Sequence, residues 1–245
     1  MDSRTGITLK QFNQGESNVT CMAIFTNLLA VGYADGAIRV WNTTNGSCTL
    51  FNGHRNHITS LAFDNLGARL VSGGSDTNIV VWDLVQECGI VRLTGHRDQV
   101  TTLEFLEKQG LNHIVSGSKD SLIKIWDLTT QECVETVVSH RGEVWALASA
   151  VHNEHLMLVT GGADGQARIW NISVQILLGK YSNAIVEVVP VETKGLNSAS
   201  PKTATAVTLV GPLDRQSKER IQTIKIHSSG KYIGIQVYTS DQGSR

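Results

Sequence analysis

No apolar run in this 245-residue chain approaches the length of a membrane span, and the opening "MDSRTGITLK" lacks the apolar centre of a secretory signal. Neither sign of charge is in excess. Lys and Arg together number 21 against 22 Asp and Glu, for a formal net charge of −1. The basic footprint of a free-standing nucleic-acid binder is therefore missing. There is no G-x-S-x-G elbow, no Walker-type phosphate loop and no Gly-rich dinucleotide fingerprint; "SSGKY" lacks the glycine spacing and the hydroxyl after Lys. Residues 19–172 contain none of the amphipathic stretches of about 10–15 residues that an α-solenoid needs. These absences leave a soluble, intracellular chain whose 41% hydrophobic content supports a sizeable core.

Cysteine is scarce, and its placement is informative. Cys48, Cys88 and Cys133 each follow a tryptophan by six or seven residues, and Cys21 belongs to a different position. Three copies of one repeat position do not bring their Cα atoms within the about 7 Å that a disulfide needs. Reduced, structural thiols in a cytosolic or nuclear setting are expected.

What the chain has in abundance is repetition. "LVSGGSDTNIVVWDL" (70–84) returns as "IVSGSKDSLIKIWDL" (114–128) and "LVTGGADGQARIWNI" (158–172), with an earlier cousin, "LAVGYADGAIRVWNT", at 29–43. The tryptophans fall at Trp41, Trp82, Trp126 and Trp170, and six residues before each stands Asp35, Asp76, Asp120 or Asp164. A period near 40–45 suits propeller blades. Within one unit, Ile58, Leu61 and Phe63 open a segment; "RLVSG", "NIVVWDL" and "GIVRL" follow, with "GSDT" as turn. Four short runs rich in Val, Ile and aromatics, separated by turn residues, predict a four-stranded antiparallel sheet repeated radially. The fold class is all-β.

At this point the units resemble WD repeats. The family's Gly-His pair appears as Gly53-His54 and Gly95-His96, with Ser139-His140 in the next unit; its Trp-Asp pair appears as Trp82-Asp83 and Trp126-Asp127, drifting to Trp41-Asn42 and Trp170-Asn171. The resemblance implies three buried hydrogen-bonded tetrads: His54, Ser72, Asp76 and Trp82; His96, Ser116, Asp120 and Trp126; His140, Thr160, Asp164 and Trp170. An indole N–H, a hydroxyl and an imidazole buried between strands each need a partner. The first unit departs from the pattern. Val31 stands where the hydroxyl belongs, and no His precedes Asp35 at the expected distance, so packing is expected to hold that blade.

The rhythm fails after Trp170. Residues 173–220 read as an insertion, part of it ("NSASPKTATA") suited to a surface loop and part ("NAIVEVVPV") apolar enough for an extra strand. "RIQTIKIHSSGKYIGIQV" then restarts the pattern, so residues 221–245 read as the first half of a further blade. Residues 1–18, through "GITLKQF", read as the outer strand of a preceding blade. The expected architecture is thus an incomplete WD-repeat β-propeller: four full blades over residues 19–172 with partial blades at both ends. A typical ring has about seven blades. The chain is expected to be a fragment of a larger protein or an incomplete gene model, with sheet edges left open.

Three clusters are candidate sites. Ser116, His96 and Asp120 have the residue types of a nucleophilic triad, but the trio recurs in three blades with a Trp attached, which suits architecture. The "HNEH" cluster (His152, Glu154, His155) lies in a turn, without the spacing of a zinc motif; no metal and no cofactor is expected. The propeller's top rim is the better candidate, because in WD repeats the residues beside the tetrad His and Asp and at the start of the first strand surround the central channel. The partner-binding candidates there are Arg55, Asn56, Arg97, Asp98, Lys119, Arg141, Glu143 and Trp145. Trp145 stands where earlier units have Thr59 and Thr101. It reads either as a binding hot spot beside Arg97 and Arg141 or as a ring packed on its own blade.

At finer grain, "LLAVGYADGAIRVWN", "GHRDQVTTLEFLE", "SGSKDSLIKIWDLTTQECVETVVSHRGEVWAL" and "RQSKERIQTIKIHSSGKYIG" resemble the N-terminal propeller of the WD repeat-containing protein three family. Those are the tandem-propeller UtpB subunits of the small-subunit processome. The resemblance implies a nucleolar, non-catalytic scaffold in pre-rRNA processing and 40S ribosome biogenesis. Implied partners are other UtpB subunits, U3 small nucleolar RNA and pre-rRNA, with no membrane and no small-molecule substrate. A generic WD-repeat adaptor, a ubiquitin-ligase or signalling scaffold reading a peptide on the top rim, is the alternative; a propeller enzyme is disfavoured because no acid/base set breaks the repeat symmetry.

Overall fold

The structure is a computed structural model. It describes residues 11–12, 17–107, 110–152, 155–173, 177, 187–189, 219–226 and 233–239. The turn of the "HNEH" cluster and most of residues 1–18, 173–220 and 240–245 lie outside the described residues.

The four segments of each repeat become four strands. The first sheet contains β1 (Val19–Phe25), β2 (Leu28–Tyr33), β3 (Ala37–Asn42) and β4 (Cys48–Asn52). The second has β5 (Ile58–Phe63), β6 (Arg69–Gly74), β7 (Ile79–Asp83) and β8 (Cys88–Leu93), and the third β9 (Val100–Leu106), β10 (His113–Ser118), β11 (Leu122–Asp127) and β12 (Glu132–Val138). The fourth is built from β13 (Val144–His152), β14 (His155–Gly162), β15 (Ala167–Ser173) and β16 (Glu187–Val189). A further pair, β17 (Glu219–Ile226) and β18 (Ile233–Thr239), forms a two-stranded sheet. Every sheet is an antiparallel meander in chain order. The first strands of successive sheets, β1, β5, β9, β13 and β17, lie side by side, which is the inner wall of a propeller. Within the stretch read as an insertion, β16 pairs with β15 through Ile169↔Val189 and Asn171↔Glu187, and so supplies the outer strand of the fourth blade.

Because a blade's side chains alternate between its two faces, the core lies between blades. Ala30, Ile38, Val40 and Phe51 of the first blade meet Ile58, Leu61, Leu70, Val80 and Trp82 of the second. Val71, Ile79, Val81 and Leu93 then meet Val100, Leu103, Ile114 and Trp126. The third interface joins Leu106, Val115, Ile123 and Ile125 to Val144, Leu147, Leu156, Leu158, Trp170 and Ile172. In each case the Trp of one blade packs against the blade before it. The Gly-His glycine makes room for this: a Cβ on Gly53 would stand 2.7 Å from the Trp82 ring edge. The first blade's own Trp41 is met instead by Phe12, ring centroids 5.7 Å apart, in a cluster with Val31 and Tyr33. Nearer the axis, Val19, Met22 and Ile24 of β1 are exposed. The register-equivalent Ile58 and Leu61, Val100 and Leu103, and Val144 and Leu147 are buried against a neighbouring blade.

A bulge repeats from blade to blade, and a charged staple adds to it once. The register slips at the second position of β1, β5, β9 and β13 and at the fourth of β17, so Thr20, Thr59, Thr101, Trp145 and Gln222 each occupy a β-bulge. Freed from the ladder, the Thr59 and Thr101 hydroxyls tie blades together, while that of Thr20 bonds Gly32 O of its own blade. Thr101 Oγ1 donates to Gly117 O (3.0 Å) in its own blade and approaches Val144 O (2.5 Å) in the next; Thr59 does the same with Gly73 O and Val100 O. On the opposite face, Arg69 of the second blade reaches Asp64, Glu107 and Asn112, with its guanidinium carbon 5.6 Å from the Phe105 ring centre. This charged staple between the second and third blades has no counterpart among the described residues.

The tight turn after β2, β6, β10 and β14 places the residue following the Asp at positive φ: Gly36 (85°), Thr77 (68°), Ser121 (71°) and Gly165 (69°). Two blades thus use glycine where the other two force a Cβ into the left-handed region, which costs about 1–2 kcal/mol for an L-residue. Thr77→Gly and Ser121→Gly are expected to raise stability, by up to about 1 kcal/mol each once the extra freedom of glycine in the unfolded chain is set against the relieved strain. Thermal denaturation of the single and double variants checks this. A lowered melting temperature in both would show that unfolded-state entropy wins.

Candidate functional site: buried tetrads and the top rim

Each of the second, third and fourth blades brings its predicted four residues together. In the third blade His96 Nε2 lies 2.7 Å from Ser116 Oγ, His96 Nδ1 2.9 Å from Asp120 Oδ2, and Trp126 Nε1 donates to Ser116 Oγ at 2.9 Å. The second blade repeats this with His54–Ser72 at 2.8 Å, His54–Asp76 at 2.9 Å and Trp82–Ser72 at 2.8 Å. In the fourth, His140–Thr160 is 3.0 Å, His140–Asp164 2.8 Å and Trp170–Thr160 3.0 Å. One proton arrangement satisfies every atom of the second and third sets: indole N–H to hydroxyl oxygen, hydroxyl proton to Nε2, and Nδ1–H to carboxylate. It requires a neutral imidazole.

Electrostatics agree. Burial holds the imidazoles of His54, His96 and His140 below the ordinary histidine value, outweighing the nearby carboxylates that pull the other way. The aspartates are also part-buried, which alone would raise them. For Asp76 and Asp120 the backbone N–H of Arg55 or Arg97 and the imidazole outweigh burial, and for Asp164 His140 does so first; all three carboxyls end below their ordinary value. Each carboxylate also closes its own turn, as Asp120 Oδ1 does with Leu122 N at 3.0 Å. Asp35 of the first blade, without a histidine, keeps that bond alone, to Ala37 N at 3.0 Å.

The Ser–His–Asp distances are those of a nucleophilic triad, yet the group has no means to act as one. Ser72 and Ser116 are fully buried, and the hydroxyl oxygen that would attack already accepts the indole N–H. The set is a cross-brace between strands.

The fourth blade departs in a way the sequence reading missed. Arg168 Nη1 stands 2.8 Å from His140 Nδ1 and also reaches Ser139 O, while Nη2 lies 3.0 Å from Asp164 Oδ2. A guanidinium thus joins that tetrad from the position held by Val80 and Lys124 in the blades before it. Ser139 in place of the Gly-His glycine was the one visible signal.

The top rim, the face carrying the His and Asp turns, places the other candidates. Arg55, Asn56, Arg97, Asp98 and Arg141 are exposed, and Lys119, Glu143 and Trp145 half-buried. The three arginines hold equivalent positions, each backbone N–H tied to its tetrad aspartate at 2.9, 2.9 and 3.3 Å. Trp145 carries the Lys119 ammonium of the preceding blade 5.1 Å from its ring centre, a cation–π contact across the third interface. Among the described residues no group of His, Cys, Asp and Glu is arranged to hold a metal ion, and all four cysteines are free thiols.

Four-stranded meanders ranged around an axis, with a His–Ser/Thr–Asp–Trp brace repeated between them, define a WD-repeat propeller. Within that class the family model of the WDR3 first β-propeller domain matches residues 1–172, and the chain belongs to that family. Among curated proteins it is similar to U3 small nucleolar RNA-associated protein 12 of Saccharomyces cerevisiae, 57% identical over 49 residues, which is 20% of this chain and 5% of that protein. The solved WD40 repeats of RRP9 superpose with a TM-score of 0.59 at 25% identity, covering 71% of this chain and 52% of that one. The computationally designed Ika4 protein gives 0.59 at 31% identity, covering 67% of this chain and 98% of its own. The chain therefore spans only a small part of the yeast relative and about half of the RRP9 chain.

Proposed function

We propose that this chain is a non-catalytic scaffold module of ribosome biogenesis, a propeller that joins the small-subunit processome in the nucleolus and holds its neighbours through the top rim. The observation that carries this reading is the family match over residues 1–172, which the 57% identical stretch of a U3 small nucleolar RNA-associated protein supports. Partners under this reading are other UtpB subunits, with U3 small nucleolar RNA and pre-rRNA held in the same assembly. The saturated tetrads support a structural role for the only Ser–His–Asp sets among the described residues.

Immunoprecipitation of the protein from nuclear extract, followed by quantification of U3 small nucleolar RNA against an unrelated small RNA, tests the assignment. Strong enrichment of U3 is expected. Equal recovery of both RNAs would overturn it and return the propeller to the class of WD-repeat adaptors that read a peptide on the rim.

A further inference from the structure

The arginines of this molecule divide sharply by what their guanidiniums do. Arg69 and Arg168 are held by carboxylates, Arg92 donates to Gly53 O, and Arg39 lies over the Tyr33 ring. Arg55, Arg97 and Arg141 are different. Only their backbone N–H groups are used, on the tetrad aspartates, and among the described residues their exposed guanidiniums meet no acceptor. All three occupy one structural position, directly after the tetrad histidine, in three consecutive blades. The brace requires the histidine and a backbone N–H there. It does not require arginine, so architecture does not explain why "HR" is written three times.

We propose that Arg55, Arg97 and Arg141 form an arc on the top rim that binds the phosphodiester backbone of single-stranded RNA. Packed sheets lie about 10 Å apart, so the three arginines are set out one per blade, a spacing that suits an extended polyanion meeting one guanidinium per blade. Arginine's planar fork suits phosphate oxygens bidentately, and the tetrad fixes each backbone so that only the side chain must be ordered on binding. Lys119 adds a fourth cation; Asp98 and Glu143 lie on the same arc and oppose it. The chain as a whole, with a net charge of −1, offers a polyanion no general attraction. The choice of RNA over an acidic peptide rests on the ribosome-biogenesis reading above.

The test uses the purified 245-residue chain and a fluorescein-labelled single-stranded RNA 20-mer, with anisotropy measured across a salt series. Three phosphate contacts predict a slope of log K against log salt near −2, about 0.7 for each phosphate neutralised on a single strand. Arg55→Ala/Arg97→Ala/Arg141→Ala is expected to weaken binding about tenfold or more at low salt and to flatten that slope. Its melting temperature should not move, because the side chains hold nothing inside the protein. Asp98→Asn/Glu143→Gln should tighten binding. A salt-independent wild-type affinity, or a triple variant that binds like the wild type, overturns the proposal; so does tighter binding of poly-glutamate than of RNA, which would make the arc a peptide site. U3 enrichment in the immunoprecipitate alongside failure here leaves the scaffold assignment standing and removes only the arc.

Discussion

Trp126→Ala is expected to lower the unfolding free energy by about 3–5 kcal/mol, the range for deleting a large buried aromatic. The indole is 2% exposed and packs into the cluster that joins the second and third blades. It lies edge-on to His96 with centroids 6.1 Å apart, and its N–H is the donor that Ser116 Oγ receives. Trp126→Phe separates packing from hydrogen bonding. The smaller ring fills most of the site, so its cost, about 1–2 kcal/mol, is chiefly the unmet demand of the buried hydroxyl. In the first blade Val31 stands in place of that hydroxyl, so Trp41→Phe should cost less than Trp126→Phe. Chemical denaturation of these variants measures the differences. Equal costs for the two Trp→Phe changes would mean that the indole–serine bond contributes nothing net.

The tetrads were legible in the sequence because burial makes their polar members depend on one another. In the three blades that have the histidine, imidazole, hydroxyl, indole and carboxylate satisfy one another, so residue type and spacing repeat together; the first blade, without the histidine, also lacks the hydroxyl and keeps only Asp35 and Trp41. The left-handed turn position was not legible in the same way: a residue that tolerates strain leaves no fixed type, and Gly36, Thr77, Ser121 and Gly165 share only a φ. The bulge threonines left a faint trace, "VT", "IT" and "VT" at the start of three inner strands, but the reach of Thr59 and Thr101 into the next blade's backbone has no one-dimensional signature. The Arg69 staple occurs once and joins residues 64, 69, 107 and 112, so no repeat reports it. Strand β16 was legible as an apolar run, "NAIVEVVPV", but its place as the outer strand of the fourth blade was not, because it lies beyond the point where the period is lost. The rim was legible in place but not in state: nothing in "GEVWAL" says that Trp145 is half-buried beneath the lysine of the blade before it.

The tetrads also predict how the propeller responds to acid. His54, His96 and His140, together with His113, whose imidazole burial likewise holds low, have folded-state pKa values below the unfolded value near 6.5. Above pH 6.5 each is neutral in both states and its contribution to stability is fully present. As pH falls below 6.5 the unfolded chain takes up protons that the folded chain refuses, and stability falls by up to about 1.4 kcal/mol per pH unit for each such group until its folded pKa is reached. Folded domains hold only about 5–15 kcal/mol in all, so the melting temperature should drop as pH falls below 6.5. The depressed aspartates Asp76, Asp120 and Asp164 add a second loss at lower pH. Their contribution is present above their unfolded value of 3.8 and disappears as pH falls through their lower folded values. Protonating His54 or His96 forces Nε2–H onto the hydroxyl oxygen, and the hydroxyl proton must then turn to Val80 O or Lys124 O, 3.3 and 3.4 Å away. Those are poor substitutes for the bonds lost, so the folded state resists the proton and the slope persists. Denaturant unfolding at a series of pH values, read as protons taken up per molecule unfolded, should give a net uptake as pH falls below 6.5. Uptake near zero there would mean that the imidazoles protonate within the folded propeller and that the brace tolerates a charged histidine.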